Sequence, residues 1–180
     1  MNEGLIPRRY AKALYKVAVD RGDAEALYAL MNKLFDASMA ESSLTGVVAN
    51  PFVSVSDKCD LIKAAAGSGA DNVTFNDFLK LLADNKRLDM VFAIAAQYTL
   101  LYRREKNIYK VEVVSAAPLS DDDESRLKKI INGNLQGGTM EYTSRVNPDL
   151  IGGFTVTIDN RKLDASVSNE LKQLRVNLLK

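Results

Sequence analysis

The chain of 180 residues contains no histidine and no tryptophan, and only one cysteine. The missing histidine removes the commonest general base, the commonest metal ligand and both the Ser-His and Cys-His nucleophile pairs. A single cysteine, Cys59, excludes an intrachain disulfide and fits a reducing compartment. Excess charge is lacking as well: the formal net charge is +1. The balance holds locally, with 13 Lys+Arg against 12 Asp+Glu in residues 1–104 and 11 against 11 in residues 105–180. A dedicated nucleic-acid binder draws its affinity from a strongly basic face, so this balance argues against one. The most apolar run, Leu88 to Tyr102, contains Asp89 and is shorter than the roughly 20 residues that a membrane span needs. The first seven residues, Met1 to Pro7, lack a basic segment followed by an apolar one, so no signal peptide is expected. These absences point to a protein that is soluble, or held at a membrane through another protein.

What is present is pattern. Apolar residues make up 47% of the chain, enough to build a core. The first hundred residues read as helices. Pro7 sits where a first turn tolerates it, and Tyr10 to Val19 continues the helix until Gly22, with Asp23 placed to cap the next. Leu27, Leu30, Met31, Leu34 and Phe35 give the second helix, Ala24 to Met39, its apolar stripe. Further helices are expected over Leu44–Ala49, over Asp57–Ala66 with Ser56 as cap and Gly67-Ser68-Gly69 as stop, over Thr74–Asn85, and over Leu88 to about Arg104 as the longest. Six segments joined by short loops predict an all-α bundle over residues 1–105.

Near Lys106 the period changes. Tyr109, Val111 and Val113 alternate with Lys110 and Glu112, as in a half-buried strand. Ser120 with Asp121 to Glu124 reads as a capped helix start, and Leu127, Ile130 and Ile131 supply that helix's apolar face. Met140 to Val146 alternates, Asn147-Pro148-Asp149 turns, and Phe154, Val156 and Ile158 alternate again. Asp159 to Lys162 closes a hairpin. A last helix carries Val167, Leu171, Leu174 and Leu178, capped by Asp164 or Ser166. Residues 106–180 thus predict a small mixed α/β domain with two helices.

Chemistry-bearing motifs are sparse. Gly67-Ser68-Gly69 has no following Lys-Ser/Thr, Gly137-Gly138 follows a helix, and Gly152-Gly153 lies inside an expected strand, where glycine marks a bulge or a close backbone neighbour. No nucleotide, cofactor or metal is expected. The acidic run Asp121 to Glu124 lacks the alternating ligands and turn glycine of a calcium loop. Arg8-Arg9 and Arg103 to Lys106 read as solvated helix ends, and Cys59 as a small, partly buried side chain. One feature pulls against a purely structural reading. On a helical wheel the apolar side chains of residues 10–18 span roughly 200°, and those of residues 75–82 roughly 160°. A helix docked on one core needs little more than about 100°. Such a helix is either buried in mid-bundle or faces the core on one side and a partner on the other. Two of them can frame a groove for a partner's amphipathic helix.

Five motifs in order resemble the ATP synthase delta subunit family, called OSCP in mitochondria. They are Arg9-Tyr10-Ala11-Lys12-Ala13-Leu14, the run Phe78 to Leu88, Val113-Val114-Ser115-Ala116 with Leu119-Ser120, Pro148 with Leu150-Ile151-Gly152-Gly153-Phe154, and Asp164-Ala165-Ser166-Val167. The resemblance covers nearly the whole chain. It implies a six-helix N-terminal bundle and a smaller α/β domain, with no chemistry of its own. It implies that the bundle caps the catalytic head by holding an N-terminal helix of an alpha subunit between the first and fifth helices, at Tyr10, Ala13, Leu14, Val17, Phe78, Leu81 and Asn85. The α/β domain is implied to meet the b-type subunit of the peripheral stalk, with Gly152, Gly153 and Asp164 in structural roles. A bacterial-type subunit on the cytoplasmic face of the inner membrane is expected. The competing classes are a nucleic-acid-binding adaptor using the basic helix ends, which the balanced charge disfavours, and an enzyme, which the missing histidine disfavours.

Overall fold

The structure is a computed structural model that describes residues 4–67, 72–135 and 137–178. Two compact units divide the chain between Arg104 and Glu105. The first is helical: α1 (Leu5–Arg21), α2 (Ala24–Ala40), α3 (Ser43–Ala49), α4 (Val55–Ala66), α5 (Val73–Asp84) and α6 (Val91–Lys106). Helix α1 buries Pro7, Ala11, Leu14 and Ala18 at three- and four-residue spacing, and lies against α2 and α5. It ends at Gly22, whose φ of 75° leaves its N–H and that of Asp23 to satisfy the carbonyls of Ala18 and Val19. The core fills with Leu27, Met31 and Leu34 of α2, Ile62 of α4, Phe75, Leu79 and Leu82 of α5, and Val91 and Ile94 of α6. Tyrosines tie α6 in. The Tyr102 ring stacks on Tyr28 at 4.3 Å, and the Tyr98 hydroxyl donates to the Ala24 carbonyl at 3.2 Å. Burial, and after it the nearby Asp23 carboxylate, pushes the Tyr98 phenol well above its ordinary pKa.

Two expectations are corrected here, and the expected stop of α4 is found at Gly67. The cap of α4 is Ser54, not Ser56: its hydroxyl accepts from the Asp57 N–H at 3.1 Å, the reach of an N-cap to the third helical residue. The longest helices are α1 and α2 at 17 residues, because Leu88–Met90 forms a separate 3-10 turn ahead of the 16-residue α6. Gly67 ends α4 with φ 74°, while Ser68 and Gly69 lie outside the described residues.

The second unit runs β1 (Ile108–Ser115), α7 (Asp121–Asn134), β2 (Thr139–Val146), β3 (Gly153–Ile158), β4 (Arg161–Ser166) and α8 (Val167–Leu178). Its four-stranded sheet has the order β2-β1-β3-β4. Strands β1 and β2 are parallel, which requires a crossover, and α7 is that crossover. The other two pairs are antiparallel, so the sheet is mixed. Val111, Val113 and Val156 of the sheet meet Ile131 and Leu135 in a small core. One residue, Asn107 with φ 52°, separates the end of α6 from the start of β1.

Several details differ from the sequence reading. Ile130 is 64% exposed, and the inward row of the α7 segment is Leu127, Ile131 and Leu135, one turn apart. Gly152 precedes β3 and Gly153 opens it, so the pair lies at the mouth of the strand. Gly153 has φ 73°, and a Cβ there would run into the Ala165 carbonyl oxygen of β4. At Gly152 a Cβ would sit 2.9 Å from a methyl group of Val167. The expected hairpin is present with a tighter turn, Asp159-Asn160, and its return strand β4 runs up to the last helix. The apolar stripe of α8 is uncovered within this unit, with Val167, Leu171 and Leu174 all exposed.

Candidate partner-docking cleft

The two over-apolar helices stand side by side. Arg21, at the C-terminal end of α1, reaches the N-terminal end of α5, where its guanidinium lies 3.0 Å from the Asp77 carboxylate and 3.2 Å from the Thr74 hydroxyl. The two helices wall a cleft of about 220 Å³. Tyr10, Ala13, Leu14 and Val17 of α1 form one wall, and Phe78 and Leu81 of α5 form the other. Leu14 and Phe78 are 5% exposed and make the floor. Val17 at 42% and Leu81 at 49% make apolar rims, and exposed Ala13 lies one turn from Val17 on α1. Helix α1 is thus not buried in mid-bundle: the stripe at Ala11, Leu14 and Ala18 meets the core, and Ala13 and Val17 face out.

The structure brings six of the seven expected residues to this cleft and leaves out the seventh. Asn85 is the C-cap of α5; its side-chain amide donates to the Leu81 carbonyl at 2.8 Å, one of the carbonyls a helix end leaves unpaired. Reading by apolar wheel passed over Arg21, Thr74 and Asp77, which close one end of the cleft. Their signal was present, since residues 74, 77 and 81 fall on one face of α5. The pair at Arg21 and Asp77 is half exposed, so it contributes under about 1 kcal/mol and serves chiefly as a polar stop.

Other singled-out residues have local duties. The Ser120 hydroxyl accepts from the Asp123 N–H at 3.2 Å, and Asp122 and Glu124 pair with Arg126 and Lys128 one turn on, at 2.9 and 2.6 Å. Arg103 Nε donates to the Tyr28 hydroxyl at 2.8 Å. Burial pushes the Cys59 thiol up, which leaves less thiolate at neutral pH. Asp164 is held below its ordinary pKa because the Ser166 hydroxyl donates to it at 2.6 Å; the same Ser166 oxygen accepts from the Asn169 N–H in the first turn of α8.

The chain combines a helical unit that carries an open apolar cleft walled by two helices with a separate small mixed-sheet unit, and no cluster of catalytic residue types accompanies the cleft among the described residues. The ATP synthase delta (OSCP) subunit family matches residues 6–178, and the chain belongs to it. The ATP synthase subunit delta of Parabacteroides distasonis is 36% identical over 179 residues, 99% of this chain and 98% of that protein. The subunit delta of Desulfitobacterium hafniense (strain DCB-2) is 32% identical over 178 residues, with 99% and 98% covered. A chain in the structure of the Toxoplasma gondii mitochondrial ATP synthase hexamer superposes with a TM-score of 0.69 and 24% identity, over 97% of each chain, and so shares the fold. The subunit is structural: a non-catalytic, peripheral connector of the stator of the proton-translocating ATP synthase. Among the described residues, no helix is long and apolar enough to cross a membrane.

Proposed function

We propose that the α1–α5 cleft seats an amphipathic helix from the N-terminus of an alpha subunit and so ties a six-helix bundle to the catalytic head. The observation that carries this reading is an apolar cleft left open to water, with Val17 of α1 and Leu81 of α5 about half exposed and the small Ala13 also lining it. Covering each rim residue contributes on the order of 1 kcal/mol, and the affinity needs no fixed charge partner. The uncovered stripe of α8 supports a second contact, with the b-type subunits of the peripheral stalk. A connector with these two contacts works at the cytoplasmic face of the inner membrane of a bacterium, and holds the head still while the central rotor turns.

Ala13→Asp tests the cleft. It introduces a charge that a docked apolar helix would have to bury unpaired, a costly change. The free chain is expected to keep its helical circular dichroism and its melting temperature within a few degrees. Its affinity for a peptide from the alpha subunit's N-terminus is expected to fall at least about a hundredfold. Unchanged binding would place the alpha helix elsewhere, and unfolding of the free variant would make Ala13 a core residue.

A further inference from the structure

Helix α1 has a third face. The flank opposite the α1–α5 cleft, roughly 160–180° around the helix from it, forms a groove with α6. The groove encloses about 470 Å³. Arg8 and Lys12, one turn apart, form its α1 side, and Gln97, Leu101 and Arg104 run along its α6 side with Leu100. Among the described residues lining it there are the cations Arg8 and Lys12, and Arg104, which has a partner of its own, and no carboxylate. Arg8 Nε donates to the Gln97 side-chain carbonyl at 3.2 Å, which holds the guanidinium over the groove. Between the basic edges Leu100 is 58% exposed and Leu101 half-buried.

This combination selects an occupant. Like charges one turn apart on a helix repel, so Arg8 and Lys12 gain from an anionic neighbour. The leucines gain from an apolar one. A bare phosphate satisfies only the cations. A nucleic acid would also want aromatic stacking platforms, and among the described residues no aromatic side chain lines this groove. A helix with a leucine spine and acidic flanks satisfies both. We propose that the α1–α6 groove is a second docking site, distinct from the α1–α5 cleft, whose occupant is an acidic amphipathic helix of a partner protein. One helix then serves two sites, with the core-facing row at Ala11 and Ala18 lying between them. The groove is defined by its own residues and does not depend on what fills the cleft.

The test uses the full chain, labelled with nitrogen-15, and a synthetic helical peptide with leucines at alternating three- and four-residue spacing and glutamates on both flanks. Amide shifts are expected at Arg8, Lys12, Gln97 and Leu100. Affinity is expected to fall at least about tenfold between about 50 and about 500 mM salt. The double variant Arg8→Glu with Lys12→Glu, both exposed, is expected to weaken the acidic peptide by about tenfold or more while leaving binding of the alpha-subunit peptide unchanged. Leu100→Ser is expected to weaken it without changing the salt dependence. The proposal is overturned if the shifts fall on Tyr10, Val17 and Leu81, or if a peptide with glutamine in place of glutamate binds equally well. It is equally overturned if inorganic phosphate reproduces the shifts, or if no shift occurs. Failure of the alpha-subunit peptide to bind the parent would sink the cleft reading alone.

Discussion

At the scale of single residues, the C-terminal unit depends on backbone more than on side chains. Gly153 has a left-handed φ, its carbonyl accepts from the Ala116 N–H at 3.2 Å, and its missing Cβ makes room for the Ala165 carbonyl. Gly153→Val is therefore expected to cost more than about 2 kcal/mol, since it adds strain and a clash with backbone that cannot rotate away. Gly152→Val is also destabilising but meets a side-chain methyl group, which can shift. A thermal melt followed by near-ultraviolet signal and amide shifts should show only the C-terminal unit loosened; a parental melt for Gly153→Val would remove the glycine's role. That the pair mattered was legible in the sequence, because glycines beside an alternating run demand a reason. Which neighbour approaches was not, since Ala165 arrives by a strand pairing that no local pattern announces.

At the scale of elements, periodicity worked where a side chain has a core to meet. The stripes of α2 and α5, and the alternation in β1 and β3, follow directly from burial on one face. Strand β4 had no such signal: in Arg161-Lys162-Leu163-Asp164 even Leu163 is 64% exposed, and the element is held by its backbone ladder to β3 at the sheet edge. The stripe of α8 was visible as a stripe, but a wheel cannot say whether the chain itself covers it. For the cleft, helical spacing singled out Leu81 and Val17, whereas Asn85 came from the family resemblance alone, and it caps α5, which ends at Asp84. Caps are decided by a hydroxyl's reach, so the choice between Ser54 and Ser56 is open to measurement. Ser54→Ala is expected to cost about 1 kcal/mol, and Ser56→Ala, within α4 and exposed, under about 0.5 kcal/mol. Denaturant midpoints at constant slope read the difference. Equal effects would mean that the helix start is set by tertiary contacts instead.

At the scale of the molecule, the division between Arg104 and Glu105 separates a helical core from a sheet core. The residues that anchor α6, Tyr98, Thr99 and Tyr102, all precede it. A chain ending after Glu105 is expected to retain strong helical circular dichroism and one cooperative thermal transition. A gradual, non-cooperative melt would show that the helices lean on the sheet unit for stability. Helix α6 runs across that division to Lys106, and only Asn107 separates its end from Ile108 at the start of β1. One residue advances the chain by no more than about 3.8 Å between Cα atoms. Such a coupling has almost no slack to take up. It can swivel about a few bonds but cannot stretch, so a pull on either unit reaches the other without first being spent on straightening a tether. For a part of a stator, the connection between helix and sheet is inextensible by chain length alone.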